Sequence, residues 1–477
     1  VTNHETSSPV KEFKHEAEAF AEDRDQRAFL NRALGGYYLK RDENMAKFQD
    51  WEQARSAAAE VKYEAVNNLA KNLELFEKNF TARGGKVHWA RNAAEAREVI
   101  MAIIRDAKAH SIIKSKCMTS EEIHLNDALV AEGFDVVESD LGEFIVQLRG
   151  EAPFHFVFPA MHLKRGEISR LFQEKLGSQP TDSPEELTMI ARDVMRKKYC
   201  DADVGMSGAN FAVAETGMIS ITENEGNARL TIGLPRVHIA LMGIEKVIPR
   251  LVDLALFLPM LATAGAGQQL TCYNTLVGGP RREGECDGPR ECHVVLLDNH
   301  RTALLADPEQ RDALHCIRCG ACLNVCPIFK NVGGHTYGTT YAGPIGSVIT
   351  PHLRGLQDWK HLSGASSLCG ACTSACPVRI DIHHHLLHNR RNAMTEKGVW
   401  WERLAWKGFA AFMSNHTLYR ASMPLARIGS RVHKLIAGSM FDPMRAWTKK
   451  RDLPPLPQST FREQWRRERG SRDGGAR

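Results

Sequence analysis

From Asn44 to Phe80 the chain reads NMAKFQDWEQARSAAAEVKYEAVNNLAKNLELFEKNF, rich in Ala, Glu, Lys and Leu and without Pro or Gly. Such residues lose little freedom in a helix, and the pattern predicts a helical N-terminal region over residues 1–75, with ARGG at Ala82–Gly85 as the stop. The texture then changes. SIIKSK is strand-like, and TSEEIHLNDALVAEG predicts one helix with a capping box from Thr119 to Glu122 and a stop at Gly133. FDVVES returns as a strand. SPEELTMIARDVMRKKY predicts a helix with Ser183 as N-cap, Pro184 in its first position and Glu186 closing a box. NFAVAETGMISITENEGN and RVHIALMG read as strands.

This alternation predicts a layered α/β domain with a largely parallel sheet over residues 76–300. The most apolar run, LVDLALFLPMLATAGAG from Leu251, is too short to span a bilayer and is broken by Asp253 and Pro259, so it reads as a buried core helix. From Gly278, GGPRREGECDGPREC is a loop. A cysteine-bearing domain follows over residues 301–395, then a C-terminal region, 396–477, with two amphipathic helical segments and an extended, Pro-rich and basic end.

A length of 477 residues suggests two to four domains, and a formal charge of +5 gives no support to a nucleic-acid role. The polar N-terminus lacks the apolar stretch of a secretory signal. Of 12 cysteines, seven fall in two short runs, and Cys117, Cys200, Cys272, Cys286 and Cys292 are scattered. Thiols two residues apart in a large chain without a signal point to metal ligation in a reducing, cytoplasmic setting rather than to disulfides.

The first run is Cys316-x2-Cys319-x2-Cys322-x3-Cys326-Pro327, the spacing of bacterial ferredoxins. Three thiolates fold round one corner of a [4Fe–4S] cube, and the fourth, before proline, is carried to the neighbouring cluster. Aligning the second run on Cys376-Pro377 places Cys372 on Cys322, Cys369 on Cys319 and Ser366 on Cys316. The ligand swap gives cluster one Cys316, Cys319, Cys322 and Cys376. Cluster two takes Cys326, Cys369 and Cys372, one thiolate short. Ser366, Ser367, His361, a scattered cysteine or solvent are candidates for the vacant place, and a labile iron leaving [3Fe–4S] is another outcome. Structural zinc normally uses paired C-x2-C units, so this pattern suits it poorly. His383–His385 point in different directions on a helix, which argues against one shared ion.

The segment between the runs is too long for a minimal two-hairpin ferredoxin. TYAGPIGSVITPHLRGLQDW and IDIHHHLLHNRRNAM look helical, and the region resembles the α-helical ferredoxin domain of respiratory dehydrogenase subunits. KSKCMTSEEIHLN, VESDLGEFIVQL, GANFAVAETGMISITENEGNARL, both cysteine runs and LPPLPQSTFREQW together resemble the lactate utilization protein B family over nearly the whole chain. That resemblance implies a LUD-type, NagB/RpiA/CoA-transferase-like α/β domain, an α-helical ferredoxin domain with two [4Fe–4S] clusters, and helical termini. It also makes the missing cysteine normal and Cys117 incidental. The implied function is electron transfer in the oxidation of L-lactate to pyruvate, supporting growth on lactate, with two partner subunits: a cysteine-rich-domain protein and a smaller LUD-domain protein.

Within AETGMISITENEG and the residue after it, Glu215, Thr216, Gly217, Asn224, Glu225, Gly226 and Asn227 could form a ligand-binding or acid–base site, or simply two turns. His155 and His162 are weaker candidates. No dinucleotide fingerprint or Walker loop is present, which favours a relay over the site of hydride removal. Trp400, Trp401, Trp406, Phe409 and Phe412 suit helix packing within the protein or against a partner more than a membrane surface, and Arg462–Arg477 reads as a solvated tail. The alternatives are a subunit for another 2-hydroxy acid such as glycolate, or a transferase- or isomerase-like enzyme with structural clusters.

Overall fold

In a computed structural model the described residues are 8–397, 400–442, 444–448, 451, 457 and 459–473. The first seven residues of the predicted N-terminal region, the stretch 452–456 and the last four residues of the predicted tail lie outside them. The chain divides into two compact units, Val1–Ala393 and Met394–Arg477.

The first unit opens with four helices, Pro9–Glu22, Arg24–Met45, Trp51–Asn67 and Leu69–Ala82, the last ending at ARGG as predicted. Among the described residues ten strands follow: β1 (Lys86–Ala90), β2 (Ser111–Lys114), β3 (Asp135–Glu138), β4 (Val204–Ser207), β5 (Phe211–Val213), β6 (Met218–Glu223), β7 (Val237–Gly243), β8 (Val247–Ile248), β9 (Tyr273–Val277) and β10 (Glu291–Leu297). Six make a wholly parallel sheet in the order β1-β10-β7-β4-β2-β3. Its central strand β7 is buried throughout, as a strand covered on both faces must be, and VHIALMG is accordingly almost all apolar. A smaller sheet, β8-β5-β6-β9, joins antiparallel β5–β6 and β6–β9 pairs to a parallel β5–β8 pair; the strand signals did not separate it from the main sheet.

The apolar run from Leu251 is the predicted core helix, Leu254–Ala266, with Pro259 inside. It shares one hydrophobic core with Leu30 and Leu34 of the second helix and with Leu323 and Phe329 beside the cysteines. The helices between the cysteine runs, Gly343–Arg354 and Leu356–Gly364, and the one after them, Ile382–Lys397, stand where the pattern placed them.

Three local expectations need correction. The helix expected from Thr119 is two, Met118–Glu122 and Leu125–Ala131, broken where His124 turns left-handed at φ 51°. Thr119 therefore lies inside a helix, and Glu122 goes to a buried arginine instead of back to a cap. Ser183 does cap Pro184–Asp201 through the Glu186 N–H, but the Glu186 carboxylate takes the Thr181 hydroxyl and closes no box. The basic end, expected to be extended, is a helix over Phe461–Asp473. In this second unit the helices Trp400–Ser414 and His416–Ile436 precede it, and all five singled-out aromatics are exposed.

Candidate functional site

The two cysteine runs fold as copies of one another. Arg318 and Leu368 take left-handed backbone (φ 60° and 56°), as do Gly320 and Gly370 (φ 81° and 79°), and each run then forms a short helix, Ala321–Val325 or Ala371–Ala375. Each helix ends on a cysteine with nearly the same dihedrals, Cys326 at φ −73°, ψ 119° and Cys376 at φ −69°, ψ 119°. The correspondence reaches the odd position: Arg318 N–H donates to Cys316 Sγ at 3.4 Å, and Leu368 N–H donates to Ser366 Oγ at 3.1 Å. Backbone N–H groups also face Cys326 Sγ (from Phe329, 3.5 Å) and Cys376 Sγ (from Ile380, 3.4 Å), which stabilises sulfur carrying negative charge.

Cys316, Cys319, Cys322 and Cys376 line one small cavity walled by Phe156, Ile345 and Ile380. Burial and then the Cys376 and Cys316 thiols push Cys319 up; burial, with Cys316 next among the causes acting in that direction, pushes Cys376 up to about 12. In the second group, burial pushes Cys326 up, and burial with its neighbours Cys326 and Cys369 pushes Cys372 up to about 11. Thiols this reluctant to ionise alone need a cation to hold them as thiolates. Among the described residues, no three cysteine sulfurs lie mutually within 4.8 Å. Tetrahedral zinc at about 2.3 Å per bond would require about 3.8 Å between sulfurs, whereas a cube with an iron at each of four corners spreads its ligands further apart.

Several charged residues missed by sequence reasoning surround this centre. On the helix Trp51–Asn67, Arg55 and Lys62 occupy the same buried stripe as Ala58 and Ala65. Arg55 donates to the carbonyls of Cys376 (2.9 Å) and Thr373 (3.3 Å), closing the end of the second cysteine helix. Lys62 donates to the Glu245 carbonyl at 2.6 Å, and burial pushes it down to about 8. The signal was legible: a cation on the apolar face of a helical pattern marks a buried partner. Arg301, fully buried, joins Glu122 (2.8 and 2.9 Å) to Glu245 (2.5 Å), and Glu245 reaches Arg318 at 3.3 Å. Burial alone would raise the Glu245 carboxyl, but Arg301 and Arg318 hold it at about 2. This network spans residues far apart in sequence, and no local pattern announces it.

The other candidates scatter. Glu215 accepts from Leu251 N–H at 2.8 Å, and its turn packs on the helix Leu69–Ala82, where Asn79 donates to the Glu215 carbonyl and a side chain at Gly217 would strike the backbone of Phe80. Glu225 lies elsewhere, accepting from Leu141 N–H at 3.1 Å and pushed up to about 7 by burial and Asp140. His155 is a satisfied core histidine: Nδ1 accepts from Val157 and Phe158 N–H, and Nε2 meets Asn324 Oδ1 at 3.2 Å. His162 pairs with Glu151 at 2.8 Å. His383 and His384 both face Asp381, while His385 turns inward to Asp312 at 2.7 Å, so the three histidines do not converge. His361 and Ser366 both lie around the helix Leu356–Gly364, and Cys117 is buried against the Leu241 carbonyl.

Comparison with known families matches the LUD domain over residues 73–297, a 4Fe-4S dicluster domain over residues 312–380, and the C-terminal domain of lactate utilisation protein B over residues 387–470. Among curated proteins, lactate utilization protein B of Bacillus velezensis is 42% identical over 443 residues, covering 91% of this chain and 92% of that protein. Its counterpart in Bacillus subtilis (strain 168) is 42% identical over 431 residues, covering 89% of each. That of Bacillus licheniformis is 39% identical over 472 residues, covering 98% of each. Among solved structures, a DUF162 family protein from Deinococcus radiodurans aligns over 48% of this chain and 98% of its own, at 17% identity and a TM-score of 0.27.

Proposed function

The chain belongs to the lactate utilization protein B family, and from that membership we propose that it is the iron–sulfur electron-transfer subunit of a complex that oxidises L-lactate to pyruvate. Two [4Fe–4S] clusters are its cofactors. When bound, they supply one-electron transfer between a donor and an acceptor.

The assignment of individual cysteines is part of the proposal. Cys316, Cys319, Cys322 and Cys376 would hold the first cluster, and Cys326, Cys369 and Cys372 the second, with the place of Ser366 left to oxygen or solvent. The observation that carries this reading is the convergence of Cys376 from the second run on the cavity formed by the first. The chain's own residues do three things there. Arg55 fixes the second run by its last carbonyls. Apolar walls, Phe156, Ile345 and Ile380, exclude water from the first centre. Arg318, Lys62 and Lys246 concentrate positive charge beside Cys316, which favours an electron-rich centre.

The α/β domain, over residues 76–300, is read as NagB/RpiA/CoA-transferase-like, supported by its wholly parallel sheet. Residues 1–75 form the helical N-terminal region, 301–395 the ferredoxin domain and 396–477 the C-terminal region. Partners are a cysteine-rich-domain subunit and a smaller LUD-domain subunit, and the exposed aromatics of Trp400–Ser414 offer them a surface. No described helix is long and apolar enough to cross a membrane. The test is lactate-driven reduction in the reconstituted complex. Cys319→Ala is expected to abolish electron transfer and remove about half of the iron, whereas Glu215→Ala leaves transfer in place. Undiminished transfer in Cys319→Ala, or preference for glycolate over L-lactate, would sink the reading.

A further inference from the structure

A second site lies at the carboxyl ends of the parallel strands, the end at which open α/β sheets receive ligands. Segments after β1 (Ala93, Arg97), β2 (Glu122–His124) and β10 (Asn299) meet the stretch between the cysteine runs (Thr339–Tyr341, Thr350–Arg354) around a cavity of about 190 Å³. That is below the ~300–1,000 Å³ of drug-sized sites and suits a molecule of a few heavy atoms. We propose that this crevice binds a small carboxylate of the 2-hydroxy- or 2-oxo-acid class, gripped by Arg97 and Arg354; the choice of acid rests on the lactate reading above.

Charge argues for an anion. Arg97 is held by one bond, to the Ile123 carbonyl at 2.7 Å, and Arg354 by one, to His124 Nε2 at 2.7 Å; among the described residues neither has a carboxylate within ion-pair distance. Each guanidinium carries five N–H donors, so most remain for a ligand. The carboxylate in the wall, Glu122, is already saturated by Arg301, Tyr341 (2.6 Å) and Asn299 (2.7 Å). The 14-residue helix Ala93–Asp106 begins at the crevice and adds its positive end.

Shape and chemistry argue for a hydroxy or oxo acid. Thr339, Thr340 and Thr350 stand in the wall, the hydroxyls of Thr339 and Thr350 bonding each other at 3.2 Å; such a pair keeps one donor and spare acceptor capacity, which match an oxygen beside a carboxylate. His124 accepts from Arg354, which makes it a neutral imidazole, and its left-handed backbone is strain of the kind that gathers at binding sites. The Arg354 guanidinium lies over the Trp359 ring, 5.4 Å from its centre, which helps to hold it in place. The crevice also adjoins the cysteines: Tyr341 forms part of the wall, and Arg318, two residues after Cys316, lies over its ring.

The test is calorimetric titration of the anaerobically purified full chain with L-lactate and with pyruvate, inorganic phosphate serving as the comparison anion. Saturable binding of lactate or pyruvate is expected, weakened at least tenfold in Arg354→Gln and in Arg97→Gln, partly restored in Arg354→Lys, and undisturbed by equal phosphate. Should the glutamine variants fail to fold, Ala93→Leu fills the crevice without touching a charge and is expected to abolish binding with iron content unchanged. No binding by the unaltered chain, equal affinity in the variants, or a preference for phosphate would overturn the assignment. If carboxylate binds the variants normally while Cys319→Ala still abolishes lactate-driven reduction, the crevice is wrong and the electron-transfer reading stands.

Discussion

Arg318, between Cys316 and Cys319, holds its guanidinium 4.4 Å from the centre of the Tyr341 ring while its other side meets Glu245 at 3.3 Å. A buried cation is thus pinned beside the first cysteine group. Arg318→Gln removes a charge that favours the reduced state. The midpoint potential of one cluster should fall by roughly 60–120 mV, one to two tenfold steps for a one-electron couple, in an EPR-monitored titration. An unchanged potential would mean that the field of Arg318 is spent on Glu245.

Arg301 sits with both neighbours fully buried, so removing it leaves two carboxylates without a counter-charge. Arg301→Met is expected to cost about 3–5 kcal/mol, read as a lowered urea midpoint with an unchanged slope. A loss under 1 kcal/mol would show that Glu122 and Glu245 find other partners.

Two glycines separate close approach from mere helix content. A side chain at Gly265 would run into the carbonyl of Cys319, whereas one at Gly364 would meet nothing within 4 Å. Gly265→Ala should lower iron per chain although every cysteine remains. Gly364→Ala should keep full iron and gain about 0.4–1 kcal/mol.

Ser366 stands in the second run as Cys316 stands in the first, down to the N–H aimed at its side-chain oxygen. Ser366→Cys should supply a fourth thiolate to the second cluster and suppress any [3Fe–4S] signal in air-exposed protein. Identical EPR spectra before and after the change would place the open corner elsewhere.

Burial pushes His238 down to about 3, and its Nε2 bonds Ser207 Oγ at 2.8 Å. The unfolded chain takes up that proton near pH 6.5 and the folded one does not. Stability is therefore full above pH 6.5 and falls with pH towards 3, by about 1.4 kcal/mol per unit for this group. Unfolding midpoints at pH 7 and pH 5 should differ accordingly, and His238→Gln should flatten the slope.

Local rules carried the sequence a long way. The Ala-, Glu-, Lys- and Leu-rich stretch around Ala58 and Leu73 declared helices, RVHIALMG declared a strand, and Ser183-Pro184 declared a helix start, because these signals act within a few residues. The spacing of Cys316, Cys319 and Cys322 declared the chemistry for the same reason: one turn of backbone must wrap one corner of a cluster. The helix break at His124 escaped, since Glu122 is drawn inward by Arg301, a partner far along the chain.

What the sequence by itself determined is therefore the class of most segments, though not of the basic end, together with the cysteine pattern and the missing thiol at Ser366. Only the tertiary structure set Arg55 and Lys62 against the cysteine region, and left Arg97 and Arg354 facing one crevice. Those relationships join distant segments through burial and charge. Nothing within a short window encodes them: the energy that selects them is realised only when the whole core excludes water.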